Sequence, residues 1–256
     1  MQKKLREALL SIQNRIICYI CRLFIIIIEQ YMNQMPPITK NLLIINVLFY
    51  LATIVGTKYG VDLENILGLH FFKASDFHLY QLVSYMFMHG SFAHIFFNMF
   101  ALWMFGGTLE YAFGPKRFLI YYFVCGIGAA LIQEGVQYVD FLTTLSHYQT
   151  VNTGTAVIPM EEYLNMLNTV GASGAIYGIL LAFGVLFPNQ SLFIFPLPFP
   201  IKAKYFIMVY IVLELVLGIT GGDGVAHFAH LGGMLFGFLL ILFWRRKKKY
   251  NGTYYN

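Results

Sequence analysis

Charged residues are scarce in this chain. They make up 11% of its 256 residues, whereas an average soluble domain has about 25%. Hydrophobic residues reach 58%, and the mean hydropathy is +0.65. A composition this apolar excludes an ordinary soluble domain and predicts an all-α polytopic membrane protein.

Cysteine is also scarce, which bears on metals and disulfides. Cys18, Cys21 and Cys125 form neither a disulfide framework nor a zinc set, because the first two have no second pair. A His-Glu-x-x-His motif is missing as well, which argues against a zinc protease. We therefore expect no metal and no other cofactor. The absence of a second, inverted repeat disfavours a channel, transporter or haem protein.

Apolar runs of roughly the length needed to cross a bilayer, about 20 residues, recur along the chain. Six spans are predicted, at residues 41–56, 92–113, 118–139, 170–187, 205–220 and 225–244. The connection at 57–91 is amphipathic and aromatic, which predicts a long, partly helical first outer loop. The connection at 140–169 predicts a short helix beginning near Pro159.

The two ends of the chain form separate segments. Residues 1–40 are predicted to be a cytoplasmic or interfacial segment, since the apolar run 23–28 is too short to span a bilayer. Residues 41–244 form the membrane domain, and residues 245–256 a basic cytoplasmic tail. Translation could begin at Met1, Met32 or Met35, and the sequence leaves this open.

The distribution of positive charge predicts the orientation in the bilayer. With the N-terminus inside, only Lys58 and Lys73 of the 17 Lys and Arg residues lie outside. Both termini are therefore predicted to be cytoplasmic, in what we expect to be the plasma (cell inner) membrane. The basic run at 245–249 fits a topology anchor, and no nucleic-acid partner is implied.

Polar residues cluster at one depth near the outer surface. The second, fourth and sixth predicted spans run inwards from that surface, and their first turns hold His94 and Asn98, Ser173, and His230. All lie within about 10 Å of one another in depth, from the rise of a helix. Polar residues inside a membrane usually mark a functional site, although each could serve helix packing alone.

Acyl transfer is the chemistry that these residue types suggest. Ser173 would be the nucleophile and His230 its general base, since a serine hydroxyl needs an imidazole to take its proton. His94 and Asn98 are four residues apart, on one helical face, and would donate hydrogen bonds to an oxyanion. No third acid is evident nearby in the sequence.

Glycines accompany this polar layer. Small residues four apart let membrane helices approach closely, and such pairs are Gly174 with Gly178 and Gly233 with Gly237. Close approach is what a Ser173–His230 contact requires. Tyr177, one turn after Ser173, is predicted to stack on the His230 ring.

Three motifs in order resemble the signature of the rhomboid intramembrane serine proteases. The resemblance covers residues 41–244 and implies a six-transmembrane-helix rhomboid-type bundle. The motifs are Gly171-Ala172-Ser173-Gly174, His89 followed by His94 and Asn98, and Ala229-His230-Leu231-Gly232-Gly233.

Carried over position by position, the resemblance implies a Ser173–His230 catalytic dyad with Tyr177 stacked on the histidine. His94, Asn98 and the Ser173 backbone amide would form the oxyanion site. The implied reaction is cleavage of transmembrane segments of single-pass or polytopic membrane proteins near their outer ends, with the lipid bilayer as the other partner.

Outside the proposed catalytic residues, some positions match the family pattern and one pair departs from it. The resemblance implies that His89 organises the outer end of the second span and that Glu110 ties this span to its neighbours. In the first outer loop, Tyr80-Gln81 stands where many members of the family have Trp-Arg, which raises the question of how that loop is anchored.

Two further residues have no assigned role. His227 lies one turn before His230 and is predicted to line the mouth of the cavity, while Glu214 lies midway along the fifth span without a visible partner. The alternative function is a catalytically inactive relative that binds membrane helices. Inactive relatives lack the serine or the histidine, so Ser173 and His230 together favour the protease.

Overall fold

The computed structural model describes residues 34–193, 199–221 and 226–250, and the side chains as far as residue 246. Of the predicted cytoplasmic or interfacial segment at residues 1–40, residues 1–33 lie outside these ranges. So do residue 225, where the last predicted span begins, and the end of the basic tail.

Helices dominate the described residues. Five are long and apolar enough to cross a membrane, by length and composition: α1, α4, α5, α8 and α9 in the order below. The helices are α1 (Pro37–Lys58), α2 (Leu63–Leu67), α3 (Gln81–Ser84), α4 (Phe92–Phe113), α5 (Pro115–Thr143), α6 (Met160–Met166), α7 (Ser173–Leu186), α8 (Ala203–Thr220) and α9 (His227–Tyr250). The apolar helix α7 is shorter, at 14 residues.

Helix ends explain where the predicted spans were too short. Proline stands at the first position of α1 and of α5 and begins each helix a few residues before the apolar run. Between α4 and α5, Gly114 has φ of +79°, a left-handed backbone that glycine adopts without strain. The helix α4 also contains a π-helical turn at Leu102–Gly106. The helix predicted near Pro159 is α6.

Short strands tie the connections together. Strand β1 (Leu69–His70) pairs antiparallel with β4 (Asn168–Thr169), which joins the two long connections. A hairpin of β2 (Thr150–Asn152) and β3 (Val157–Pro159) lies in the second connection, and β5 (Ser191–Leu192) pairs with β6 (Ile201–Lys202) before α8.

The Tyr80-Gln81 pair anchors the first connection. Gln81 is 1% exposed, and its amide accepts a hydrogen bond from the His78 backbone N–H at 3.0 Å and donates one to the Asp76 carbonyl at 2.9 Å. The Tyr80 hydroxyl donates to the Ile66 carbonyl at 3.0 Å. Backbone groups of the loop are thus satisfied by a neutral amide and a phenol, which answers how this loop is anchored.

Glu110 joins α4 to the start of α1. Its carboxylate accepts hydrogen bonds from the Ile38 and Thr39 backbone N–H groups, at 3.0 and 2.7 Å, and from the Thr39 hydroxyl at 2.8 Å. The first N–H groups of a helix have no partner within it, so a carboxylate there stabilises the helix end.

Helix α7 lies in the middle of the bundle, against α5 and α9. Ten of its 14 residues are buried. A methyl group added at Gly233 of α9 would overlap the Gly174 backbone, and one at Gly178 would overlap the Cys125 side chain of α5. The three helices therefore meet at a separation that only glycine permits.

Candidate active site

Ser173 is the first residue of α7, and the chain enters this helix through a turn at Gly171. Gly171 has φ of +131°, a conformation that favours glycine, and its N–H donates to the Tyr85 carbonyl at 2.9 Å. This entry holds the Ser173 hydroxyl towards α9, where its Oγ lies 2.8 Å from His230 Nε2. The distance is that of a hydrogen bond.

Tyr177 fixes the plane of the His230 ring. It follows Ser173 by one helical turn, and its ring lies parallel to the imidazole, with 4.1 Å between centroids and 6° between planes. The stacking limits rotation of the imidazole, so Nε2 keeps facing the serine.

Glu214 of α8 completes a buried polar cluster that sequence reasoning did not find. Its Oε2 lies 2.8 Å from His230 Nδ1 and 2.7 Å from His227 Nδ1, and its Oε1 accepts a hydrogen bond from the Tyr177 hydroxyl. The expectation that Glu214 lacks a partner and that no acid lies near the serine and histidine is therefore wrong. The sequence did mark Glu214 as a candidate, because an acid inside a membrane span is usually functional. Its partners could not be predicted, because they depend on how α8 is rotated relative to α9.

His227 is not at the surface. It is 5% exposed, and its ring lies edge-on to that of His230 with 6.1 Å between centroids. The sequence-based prediction had it line the mouth of a cavity. Helix geometry explains the difference: three residues apart, the two histidines share a face of α9, and this face is turned towards Glu214.

His94 and Asn98 lie on α4, whose first turn approaches Gly171. A methyl group added at Gly171 would come within 2.7 Å of His94 Nε2 and 3.5 Å of Ser173 Oγ, so the His94 ring and the serine flank the same α-carbon. Asn98 is 7% exposed, and its Nδ2 has no hydrogen-bond acceptor among the described residues. A buried amide donor without an acceptor is costly unless a ligand supplies one.

His89 stands behind His94. It is fully buried, and the two rings meet edge to face with 5.0 Å between centroids. Burial, and secondarily the charge that His94 can carry, lower the pKa of His89 to about 4. His89 is therefore neutral at neutral pH and packs against His94 without repelling it.

Glu214, His227 and His230 also have the composition of a metal site. Each offers one ligand atom, and the three atoms lie within 4.8 Å of one another. Tetrahedral zinc, with bonds of about 2.0–2.1 Å to nitrogen, keeps its ligand atoms about 3.3 Å apart. The distances of 2.7 and 2.8 Å from Glu214 Oε2 to the two histidines are those of hydrogen bonds instead.

Known proteins resemble this chain over most of its length. The sequence profile of the Rhomboid domain matches residues 76–247, which is more than half of the chain. Rhomboid protease AarA of Providencia stuartii is 29% identical over 217 residues, which cover 80% of this chain and 71% of AarA.

Two other relatives cover a smaller share of this chain. Putative rhomboid protease YdcA of Bacillus subtilis is 28% identical over 173 residues, covering 66% of this chain and 69% of YdcA. Uncharacterized rhomboid protein P4H10.10, mitochondrial, of Schizosaccharomyces pombe is 28% identical over 220 residues. The alignment covers 70% of this chain and 56% of that protein.

Proposed function

The chain belongs to the rhomboid family, and on that premise we propose that it is an intramembrane serine endopeptidase with a Ser173–His230 dyad. It cleaves transmembrane segments of other membrane proteins near their outer ends. The observation that carries the proposal is the 2.8 Å contact between Ser173 Oγ and His230 Nε2, beneath the stacked ring of Tyr177. Two of the relatives named above are described as rhomboid proteases, AarA outright and YdcA putatively.

The reaction begins when the Ser173 oxygen attacks the carbonyl carbon of the scissile peptide bond. As the new C–O bond forms, the hydroxyl proton moves to His230 Nε2, and the carbonyl oxygen becomes an oxyanion. His94, the amide of Asn98 and the backbone N–H of Ser173 donate hydrogen bonds to it. The unpartnered Asn98 Nδ2 supports this assignment, because an oxyanion would supply its acceptor.

The tetrahedral intermediate then collapses. The C–N bond breaks, and the proton on His230 Nε2 passes to the leaving amine nitrogen. An acyl group remains on Ser173. Water, deprotonated by the same imidazole nitrogen, attacks the acyl carbon, releases the second product and regenerates the serine hydroxyl.

The proposed domain, residues 41–244, has six membrane-crossing helices: the five long apolar helices and the shorter α7, which is the fourth in chain order. The chain is an integral membrane protein by family and by its apolar helices. At 14 residues, α7 is about 21 Å long, whereas the hydrocarbon core is about 30 Å thick. With both termini cytoplasmic, as the charge bias favours, Ser173 at the outer end of α7 lies below the outer surface. His89 supports the outer end of α4 there.

Loss of either dyad residue tests the proposal. Ser173→Ala and His230→Ala should each abolish cleavage of a single-span reporter that carries small residues near its outer end, because the nucleophile or its base is gone. Cleavage is followed by the reporter fragments in proteoliposomes, with equal membrane insertion of each variant checked in parallel. A catalytically inactive binder would leave the reporter intact with the wild-type protein too. Undiminished cleavage by both variants would refute the dyad.

A further inference from the structure

We infer that Glu214 is a positioning residue that sets the protonation of His230 for catalysis, so that the dyad works as part of a Ser-His-Glu arrangement. The inference rests on the proposed function and goes beyond it. Glu214 does not contact Ser173 or the substrate; it acts through the imidazole. Its evidence is the 2.8 Å contact between Glu214 Oε2 and His230 Nδ1, on the side of the ring opposite the serine.

The contact decides which nitrogen of His230 holds the proton. An ionised carboxylate only accepts hydrogen bonds, so a ring nitrogen in contact with it is a donor. With the proton on Nδ1, the neutral imidazole presents the lone pair of Nε2 to the Ser173 hydroxyl, as a general base must. The other tautomer would set two lone pairs against each other at Glu214 and direct an N–H at the serine.

Three donors hold Glu214 in place for this task. His227 Nδ1 donates to the same oxygen at 2.7 Å, and the Tyr177 hydroxyl donates to the other oxygen. The side chain of Glu214 is 7% exposed. An unpaired carboxylate so buried would be strongly destabilising, and three hydrogen bonds from two other helices offset that cost.

The same contact supports the charged state that forms during reaction. When the serine proton reaches His230 Nε2, the ring becomes an imidazolium with an N–H on each nitrogen. Its Nδ1–H keeps donating to Glu214, now across an ion pair, while the proton on Nε2 is available for the leaving amine. Glu214 exchanges no proton in any step, and no further reactant is needed.

The amide variant tests the inference. Glu214→Gln keeps the size of the side chain but brings an N–H₂ group that can face Nδ1 and favour the wrong tautomer. We expect kcat to fall about 10²- to 10⁴-fold, as when the acid of a Ser-His-Asp protease is replaced by its amide, with KM within about threefold of wild type. Glu214→Asp keeps the charge on a shorter side chain, and its kcat should be at least about tenfold higher than that of Glu214→Gln.

Glu134 provides the matched control. It is another buried carboxylate of a long apolar helix, and it accepts a hydrogen bond from the Phe72 backbone N–H at 2.7 Å. In Glu134→Gln the amide oxygen can still accept that bond, so kcat and KM should stay within about twofold of wild type. A fall in kcat confined to Glu214→Gln then reports on the tautomer and not on loss of a buried charge in general.

The outcomes separate this inference from the proposed function. If Ser173→Ala remains active, the dyad itself is refuted. If Ser173→Ala is inactive and Glu214→Gln keeps the wild-type kcat, the dyad stands and the role of Glu214 is overturned.

A direct measurement covers the case in which Glu214→Gln fails to insert. The tautomer of His230 is read from ¹⁵N chemical shifts of labelled wild-type protein in lipid, with the signal assigned by its loss in His230→Asn. The neutral ring should carry its proton on Nδ1. A proton on Nε2 at neutral pH would overturn the inference without any variant of Glu214.

Discussion

Helices α7 and α8 both contribute to the polar cluster but differ in how much of each is buried. Ten of the 14 residues of α7 are buried, and its neighbours approach it across glycine. In α8 only Ala203, Ile207 and Glu214 are buried among 18 residues. Most of the other residues of α8 are exposed and apolar, such as Val209, Val212 and Val216, as in a lipid-facing helix.

The difference shows two solutions to the problem of placing a side chain inside a membrane. Lipid is as apolar as the helices, so helices gain little by burying hydrophobic surface against each other. The position of α7, and with it Ser173, is set by shape, through close backbone contact. Helix α8 also packs by shape, with Ile207 against Gly184 of α7, but its rotation turns Glu214 towards three hydrogen-bond donors.

The largest effect should come from filling the contact between α7 and α9. Gly233→Ala would drive a methyl group into the Gly174 backbone, so we expect loss of the stable fold and of all protease activity. Gly135→Ala in α5 is the matched control, since nothing lies within 4 Å of the added methyl group. Thermal unfolding in detergent and reporter cleavage measure both. Equal stability of the two variants would mean that α7 is not held by shape.

A smaller difference is expected when a matched isoleucine of each helix is truncated to alanine and the loss of stability is compared. Ile179 of α7 is fully buried and Ile219 of α8 is 72% exposed. Ile179→Ala should lower the free energy of unfolding by about 2 kcal/mol, chiefly through the cavity left behind, and Ile219→Ala by less than about 0.5 kcal/mol. The midpoint of unfolding gives both values. A larger loss for Ile219→Ala would invert the comparison.

The smallest effect tests the chemical anchor of α8. Tyr177→Phe keeps the ring that stacks on His230 and removes the hydroxyl that donates to Glu214. We expect kcat to fall about tenfold, equivalent to about 1.4 kcal/mol, and the free energy of unfolding to fall by about 1 kcal/mol, because the buried carboxylate loses one donor. Tyr205→Phe, at a half-exposed position of α8, should leave kcat at the wild-type value. If both variants behave alike, the hydroxyl contributes nothing to the anchor.

The sequence predicted the features that depend on neighbouring residues and missed those that depend on how two helices are rotated relative to each other. Hydropathy located the long apolar helices, because nearly every residue of a membrane span has to be apolar. Motif spacing brought Ser173, His230 and Tyr177 into one hypothesis, since each motif consists of residues that lie close together in the sequence. The partner of Glu214 could not be predicted, because it depends on how α8 is rotated relative to α9, and an almost uniformly apolar helix carries no periodic signal for that rotation.

The central claim is that His230 activates Ser173, and a serine-directed fluorophosphonate tests it most directly. Wild-type protein in membranes should be labelled at Ser173, Ser173→Ala should not be labelled at all, and His230→Ala should be labelled far more slowly. Labelling of His230→Ala at the wild-type rate, or equal labelling of Ser173→Ala, would contradict the claim.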